Sequence, residues 1–188
     1  LRLMLRCWLA ILAFLMTGNV LADENVRICH AYGCFVEVEV VYSDTTLREI
    51  GQMLSVAVDA ENERKILAMV IGNMYAIGGQ QSDIHSDRGG NYADAGIPGR
   101  MDCIDHSTST TRLLGLLNAR GYLRWHRPLT PDVRYFAFIL PVHYSAIIEE
   151  KTDGEAARFV VDSWFVDNGQ PAVILPLDEW KKGAGPDV

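Results

Sequence analysis

Met101-Asp102-Cys103-Ile104-Asp105-His106-Ser107-Thr108 stands between a glycine- and aspartate-rich segment, residues 80–100, and a leucine-bearing one, Thr110 to Arg120. Asp102 can cap a helix here, with Asp105 at the third helical position as its capping-box partner. Leu113, Leu114, Leu116 and Leu117 supply a buried face, and Gly121 after Asn118-Ala119-Arg120 offers the left-handed stop. Cys103 therefore falls in the first turn of a helix. The positive end of the helix dipole lowers a thiol pKa there, and free backbone N–H groups can hold an oxyanion. Asp102 and Asp105 oppose the first effect, because neighbouring carboxylates disfavour a thiolate.

Downstream, the pattern switches to strands. Tyr135 to Leu140 is an apolar run, Pro141 interrupts it, and His143 to Glu150 makes a second strand. Asp153-Gly154 is a hairpin signal. Arg158 to Phe165 follows as a third strand, Asp167-Asn168-Gly169 as a turn, Ala172 to Pro176 as a short last strand, and Leu177 to Lys182 as a closing helical turn. A two-residue turn at Asp153-Gly154 pairs Thr152 with Glu155 and, carried back, His143 with Trp164 and Ser145 with Asp162. Asp162 becomes the diagonal neighbour of His143 on one sheet face, within side-chain reach. A slip of one residue would put the two on opposite faces. Helix, then antiparallel meander, is an α+β layout.

Upstream, Asp23 to Gly33 reads as a loop and Cys34 to Tyr42 as a half-buried strand, with Val36, Val38, Val40 and Tyr42 on one side. Ser43 and Asp44 can cap a helix carrying Leu47, Ile50, Met53 and Leu54. Asp59 caps a longer helix to Ile77, its stripe Ile66, Met69, Val70, Asn73 and Ile77, and Gly78-Gly79 is read as its stop. Residues 80–100 form a long loop that could line one wall of a cleft; His85, Asp83 and Asp87 within it are taken as solvated. Residues 122–133, with Pro128 and Pro131, read as a connector.

Arg2 and Arg6, the apolar run Cys7 to Met16 and Val20-Leu21-Ala22 follow the pattern of a secretory signal. The run is short of the ~20 residues that span a bilayer, although an uncleaved membrane anchor is the alternative. The expected organisation is residues 1–22 as signal and 23–188 as one domain, with 23–87 bringing the N-terminal strand and helices and 88–188 the catalytic core. Cleavage would take two of the 17 basic residues and none of the 24 acidic ones. That balance argues against nucleic acid and anionic lipid as partners, and no stable membrane insertion is expected afterwards. The mature protein is expected in the periplasm or medium. Cys29 and Cys34 bracket a short loop and can pair in an oxidising compartment, leaving Cys103 as the odd thiol, reactive or buried and inert. A metal at Cys29, His30 and Cys34 lacks a fourth ligand at a usual spacing.

A cysteine nucleophile needs a base and an orienter. His143 and Asp162 are the candidates. His106 is the rival base, a helical neighbour of Cys103, and Cys103, Asp105 and His106 together are the rival metal site. Asp102-Cys103-Ile104-Asp105, the leucine-rich helix, His143-Tyr144-Ser145-Ala146-Ile147 and Val160-Val161-Asp162-Ser163-Trp164 resemble the transglutaminase-like superfamily, nearest the bacterial transglutaminase-like cysteine proteinases. The resemblance covers residues 88–181. It implies a papain-like core, with a cysteine-bearing helix packed on an antiparallel sheet, and acyl transfer through a thioester on a peptide or amide bond. Cys103 would be the nucleophile, His143 the general base and later acid, and Asp162 the orienter, with Asp167 a further acidic residue nearby. The Cys103 N–H would hold the oxyanion, with Asn91 or Gln81 as weak side-chain candidates. A peptide or protein substrate is implied, and no metal or other cofactor. The alternative is a transglutaminase-fold module that has lost activity and binds a peptide or cell-envelope partner.

Overall fold

The computed structural model describes residues 22–136, 140–152 and 154–186. The signal-like segment lies outside them, save Ala22. Among the described residues the chain is α+β, with two antiparallel sheets and four helices: β1 (Glu24–His30), β2 (Val36–Tyr42), α1 (Asp44–Ser55), α2 (Ala60–Gln81), α3 (Cys103–Ala119), β3 (His126–Phe136), β4 (Leu140–Glu150), β5 (Arg158–Asp162), β6 (Val173–Pro176) and α4 (Leu177–Lys181). No helix among them is long and apolar enough to cross a membrane.

β1 and β2 form a hairpin, and β3-β4-β5-β6 a meander. α3 lies between them, packed on β1 from one side and on β3, β4 and β5 from the other. Leu113, Leu114 and Leu117 are fully buried in that position, each stabilising the fold by about 1.5–3 kcal/mol. The expected capping box is present: the Asp102 side chain accepts from the Asp105 N–H and Asp105 accepts from the Asp102 N–H. Gly121 takes the expected left-handed conformation, φ 71°.

Three expectations for local structure are corrected. Residues 24–30 are a strand rather than a loop, because Val26 and Ile28 pack into the core while the backbone pairs Glu24 with Tyr42 through to His30 with Val36. Pro128 and Pro131 sit inside β3 rather than in a connector. β3 is the edge of the meander, where a missing N–H costs no ladder bond, and its register shifts between Leu129 and Asp132. α2 runs past Gly78-Gly79 to Gln81. A Cβ on Gly78 would come 3.0 Å from Ile84 Cδ1, and one on Gly79 2.8 Å from Asn168 Oδ1. These glycines serve close packing, not termination.

Glu63, on α2, is fully buried beneath the start of β3. Its carboxylate accepts from Arg124 N at 2.7 Å, Trp125 N at 3.1 Å and His126 Nδ1 at 2.8 Å. Burial alone would raise its pKa, but His126 and the two backbone N–H groups outweigh burial and hold the carboxyl below its ordinary value. That contribution to stability is present above the ordinary carboxylate range and is lost as pH falls through the lowered pKa. Glu63→Ala strands three donors, the buried His126 imidazole and the partly buried N–H groups of Arg124 and Trp125. It should cost about 3–5 kcal/mol, read as a lower urea midpoint with unchanged slope. A midpoint within error of wild type would refute this account.

Candidate active site

Asp162 ends β5 and His143 lies on β4. Ala146 pairs with Val161, Ile147 with Val160, Ile148 with Phe159 and Glu149 with Arg158, the register expected from the hairpin signal. The tip is wider than a two-residue turn, since β4 stops at Glu150 and β5 begins at Arg158. β5 also stops short of the expected Phe165, because the chain turns inward at Trp164. The parity survives both changes: His143 Nε2 donates to Asp162 Oδ2 at 2.7 Å. Both residues are buried, with 1% and 2% exposure.

Asp162 makes three accepting contacts. Oδ2 also takes Trp180 Nε1–H at 3.1 Å, and Oδ1 takes the Trp164 N–H at 3.2 Å. The imidazole is walled by aromatic rings, with centroids of Trp164, Phe165 and Trp180 at 4.8, 5.4 and 5.7 Å. Its Nδ1 is buried and has no hydrogen-bond partner among the described residues. Asp167 is engaged elsewhere, accepting from Arg88 at 2.7 Å and from the Gly89 N–H at 3.0 Å.

Cys103 is the first residue of α3, partly exposed and free. The thiol lies near enough to β4 to feel the backbone N–H of Tyr144, the residue after His143, and the charge of Asp162. Helix α3 thus delivers the thiol to the strand that carries the imidazole. The thiol pKa is not lowered, as its place on the helix led one to expect. Burial pushes it up, and Asp102 and Asp162 add to the effect, against the N–H groups of Tyr144 and Cys103 itself. The resting state this favours is a neutral thiol.

The neighbours of Cys103 serve structure. His106 is buried with both nitrogens occupied: Nε2 donates to Asp87 Oδ2 at 2.9 Å and Nδ1 pairs with the Ser163 hydroxyl at 2.8 Å. Ser163 also bonds Thr110 at 2.9 Å, and Asp87 accepts from the Met101 N–H at 2.9 Å. This network ties both sides of Cys103 to the residue after Asp162. Asp87, read as solvated, is 1% exposed, because its second oxygen answers a buried imidazole. Asp105 faces away from His106: it accepts from the Tyr32 N–H at 2.8 Å and from the Cys34 N–H, while Asp102 accepts from the Gly33 N–H at 2.9 Å. Burial pushes the Asp105 carboxyl up to about 6.

Those donors come from a turn closed by the Cys29–Cys34 disulfide. Ala31, Tyr32, Gly33 and Cys34 all adopt left-handed φ, from 58° to 69°. Such a run aims successive N–H groups at one place, and those of Tyr32, Gly33 and Cys34 reach the two carboxylates at the start of α3. Cys29, Cys34 and Glu37 lie close enough together to suggest a metal group, but both sulfurs are spent in the disulfide. The 80–100 segment forms one flank of the site, with the Tyr92 ring 4.7 Å from Trp164 and Asp94 bonded to the Tyr32 hydroxyl. Asn91 and Gln81 are not brought to the sulfur. The Asn91 side chain caps the Ala93 N–H at 3.0 Å, and the Gln81 amide brackets Val41 of β2, with both bonds at 2.9 Å.

Trp180, Ser163 and Asp87 were not singled out from sequence as parts of this site. A tryptophan in a short polar helix carries no local signal of what its N–H will meet. Fold and site together define an α+β protein with a buried histidine–aspartate pair beside a helix-terminal cysteine. No family model matches the chain, and no characterised protein or solved structure shows significant similarity to it.

Proposed function

We propose that this chain is an exported cysteine hydrolase or acyltransferase of transglutaminase-like, papain-like core, acting on a peptide or amide bond through a thioester. The buried His143–Asp162 contact at 2.7 Å, with the Cys103 thiol close enough to feel the Tyr144 N–H and the Asp162 charge, carries this reading. Asp162 holds the proton on Nε2, so Nδ1 is the basic nitrogen. Because the thiol rests neutral, deprotonation accompanies attack. The S–H proton passes to Nδ1 as the S–C bond forms, the C–N bond then breaks, and the imidazolium returns the proton to the leaving amine. Water or a second amine cleaves the thioester by the same exchange and regenerates the thiol. Nδ1 has no hydrogen-bond partner among the described residues, so sulfur and Nδ1 must close to bonding distance when substrate binds. The Cys103 N–H is the oxyanion donor in this scheme. The disulfide supports an oxidising compartment.

The test is alkylation of Cys103 by iodoacetamide, followed on the Cys103 peptide by mass spectrometry. Folded wild type at pH 7 should react faster than folded His143→Gln, which keeps the same partly buried thiol but lacks the base. His143→Gln should move reaction to pH above the ordinary thiol range, because the raised thiol pKa then stands alone. Equal rates for wild type and His143→Gln at every pH would exclude catalysis and leave the non-catalytic binding module.

A further inference from the structure

We infer that Trp180, on the short C-terminal helix α4, is a positioning residue of this site that acts through Asp162, an inference that rests on the roles proposed for Cys103, His143 and Asp162. The indole N–H and His143 Nε2–H converge on one carboxylate oxygen, at 3.1 and 2.7 Å. An indole N–H can only donate. A protonated Oδ2 would set hydrogen against hydrogen, so Trp180 holds that oxygen in its ionised, accepting form. An ionised Asp162 keeps the proton on Nε2, and that in turn leaves Nδ1 as the base. The choice of basic nitrogen on His143 is thereby made two contacts away, on a different element.

Trp180 is held too firmly for this donor to wander. It is completely buried, packed with Ile147, Val160 and Leu177. Arg134 of β3 places its guanidinium 5.3 Å from the indole ring and donates to the backbone oxygens of Trp180 and Ala184, at 3.4 and 3.1 Å. Lys181 donates to Asp132 at 2.5 Å and to the Val133 carbonyl at 2.6 Å. The chain is bolted to the edge strand at the tryptophan and just after it. Any buried tryptophan needs a partner for its N–H, so the experiment must separate positioning from packing.

Trp180→Phe keeps an aromatic ring and removes the donor. The pH dependence of Cys103 alkylation is measured for wild type, His143→Gln and Trp180→Phe, with a urea midpoint for each. Without the indole N–H, Asp162 pairs more strongly with an imidazolium, so the acid limb of the profile should move up by about half a pH unit or more. The rate at pH 7 should fall. A lower urea midpoint with an unmoved acid limb means Trp180 only fills space, and overturns the inference. If Trp180→Phe does not fold, benzothienylalanine at position 180, which keeps the indole shape without the N–H, is read by the same two criteria. Should His143→Gln leave the profile unchanged, the Cys–His–Asp reading itself fails and takes this inference with it. A profile that responds to His143→Gln but not to Trp180→Phe overturns the role of Trp180 alone.

Discussion

Asp162→Asn is expected to slow acylation of Cys103 by an activated ester, such as p-nitrophenyl acetate, by on the order of 10²–10⁴-fold at pH 7. The fold should survive, because asparagine is isosteric and its carbonyl can still accept. The loss arises at His143. Asp162 Oδ2 now receives two N–H donors, from His143 and Trp180. An asparagine amide has one oxygen for three contacts. If it turns its NH₂ toward the imidazole, Nε2 must accept instead of donate. The proton then moves to Nδ1, the nitrogen proposed to act as base, and the site holds the wrong tautomer. The measurement is nitrophenol release with the acyl group located on the Cys103 peptide, alongside a urea midpoint. A rate within about threefold of wild type, from a folded variant, would remove Asp162 from the mechanism.

Removing the disulfide, as Cys29→Ala with Cys34→Ala, is expected to destabilise the fold by about 2–4 kcal/mol. Closure of so short a loop supplies about 2 kcal/mol of this through the unfolded chain. The remainder comes from the hydrogen bonds that the left-handed turn makes to Asp102 and Asp105, lost as it relaxes. Ala31, Tyr32 and Cys34 each carry a Cβ in that conformation, at about 1–2 kcal/mol apiece. The N–H bonds of Tyr32 and Cys34 to Asp105 and of Gly33 to Asp102, together with the covalent link, are what oppose that cost. Once the turn relaxes, Asp105 keeps its burial and loses donors from Tyr32 and Cys34. The urea midpoint of the double variant, compared with oxidised wild type, measures the effect. An unchanged midpoint would show that the turn is held without the disulfide. The alanine pair is preferable to a reductant, which would also act on Cys103.

How far each of these residues could be read from the chain depended on how local its signal was. The His143–Asp162 contact was legible because strand side chains alternate with a period of two, and one turn sets the parity of everything behind it. The wide tip did not disturb that parity, since Ala146 still faces Val161. The glycines of α2 misled because glycine marks both a helix stop and a close approach, and only Ile84 and Asn168 distinguish the two. β1 was hidden because its partner strand, not its own short run, satisfies its backbone.

The Cys103 helix, the spacing of its leucines and its capping box were determined by the sequence alone, since each depends on residues within a turn or two of one another. So was the pairing register that brings His143 and Asp162 to one face. Tertiary structure alone decided the thiol's ionisation, the commitment of His106 to Asp87 and Ser163, and the seat of Trp180 on Asp162. These depend on desolvation and on donors drawn from distant elements. Burial and long-range hydrogen bonds exist only once the chain has folded, and no spacing along it records them.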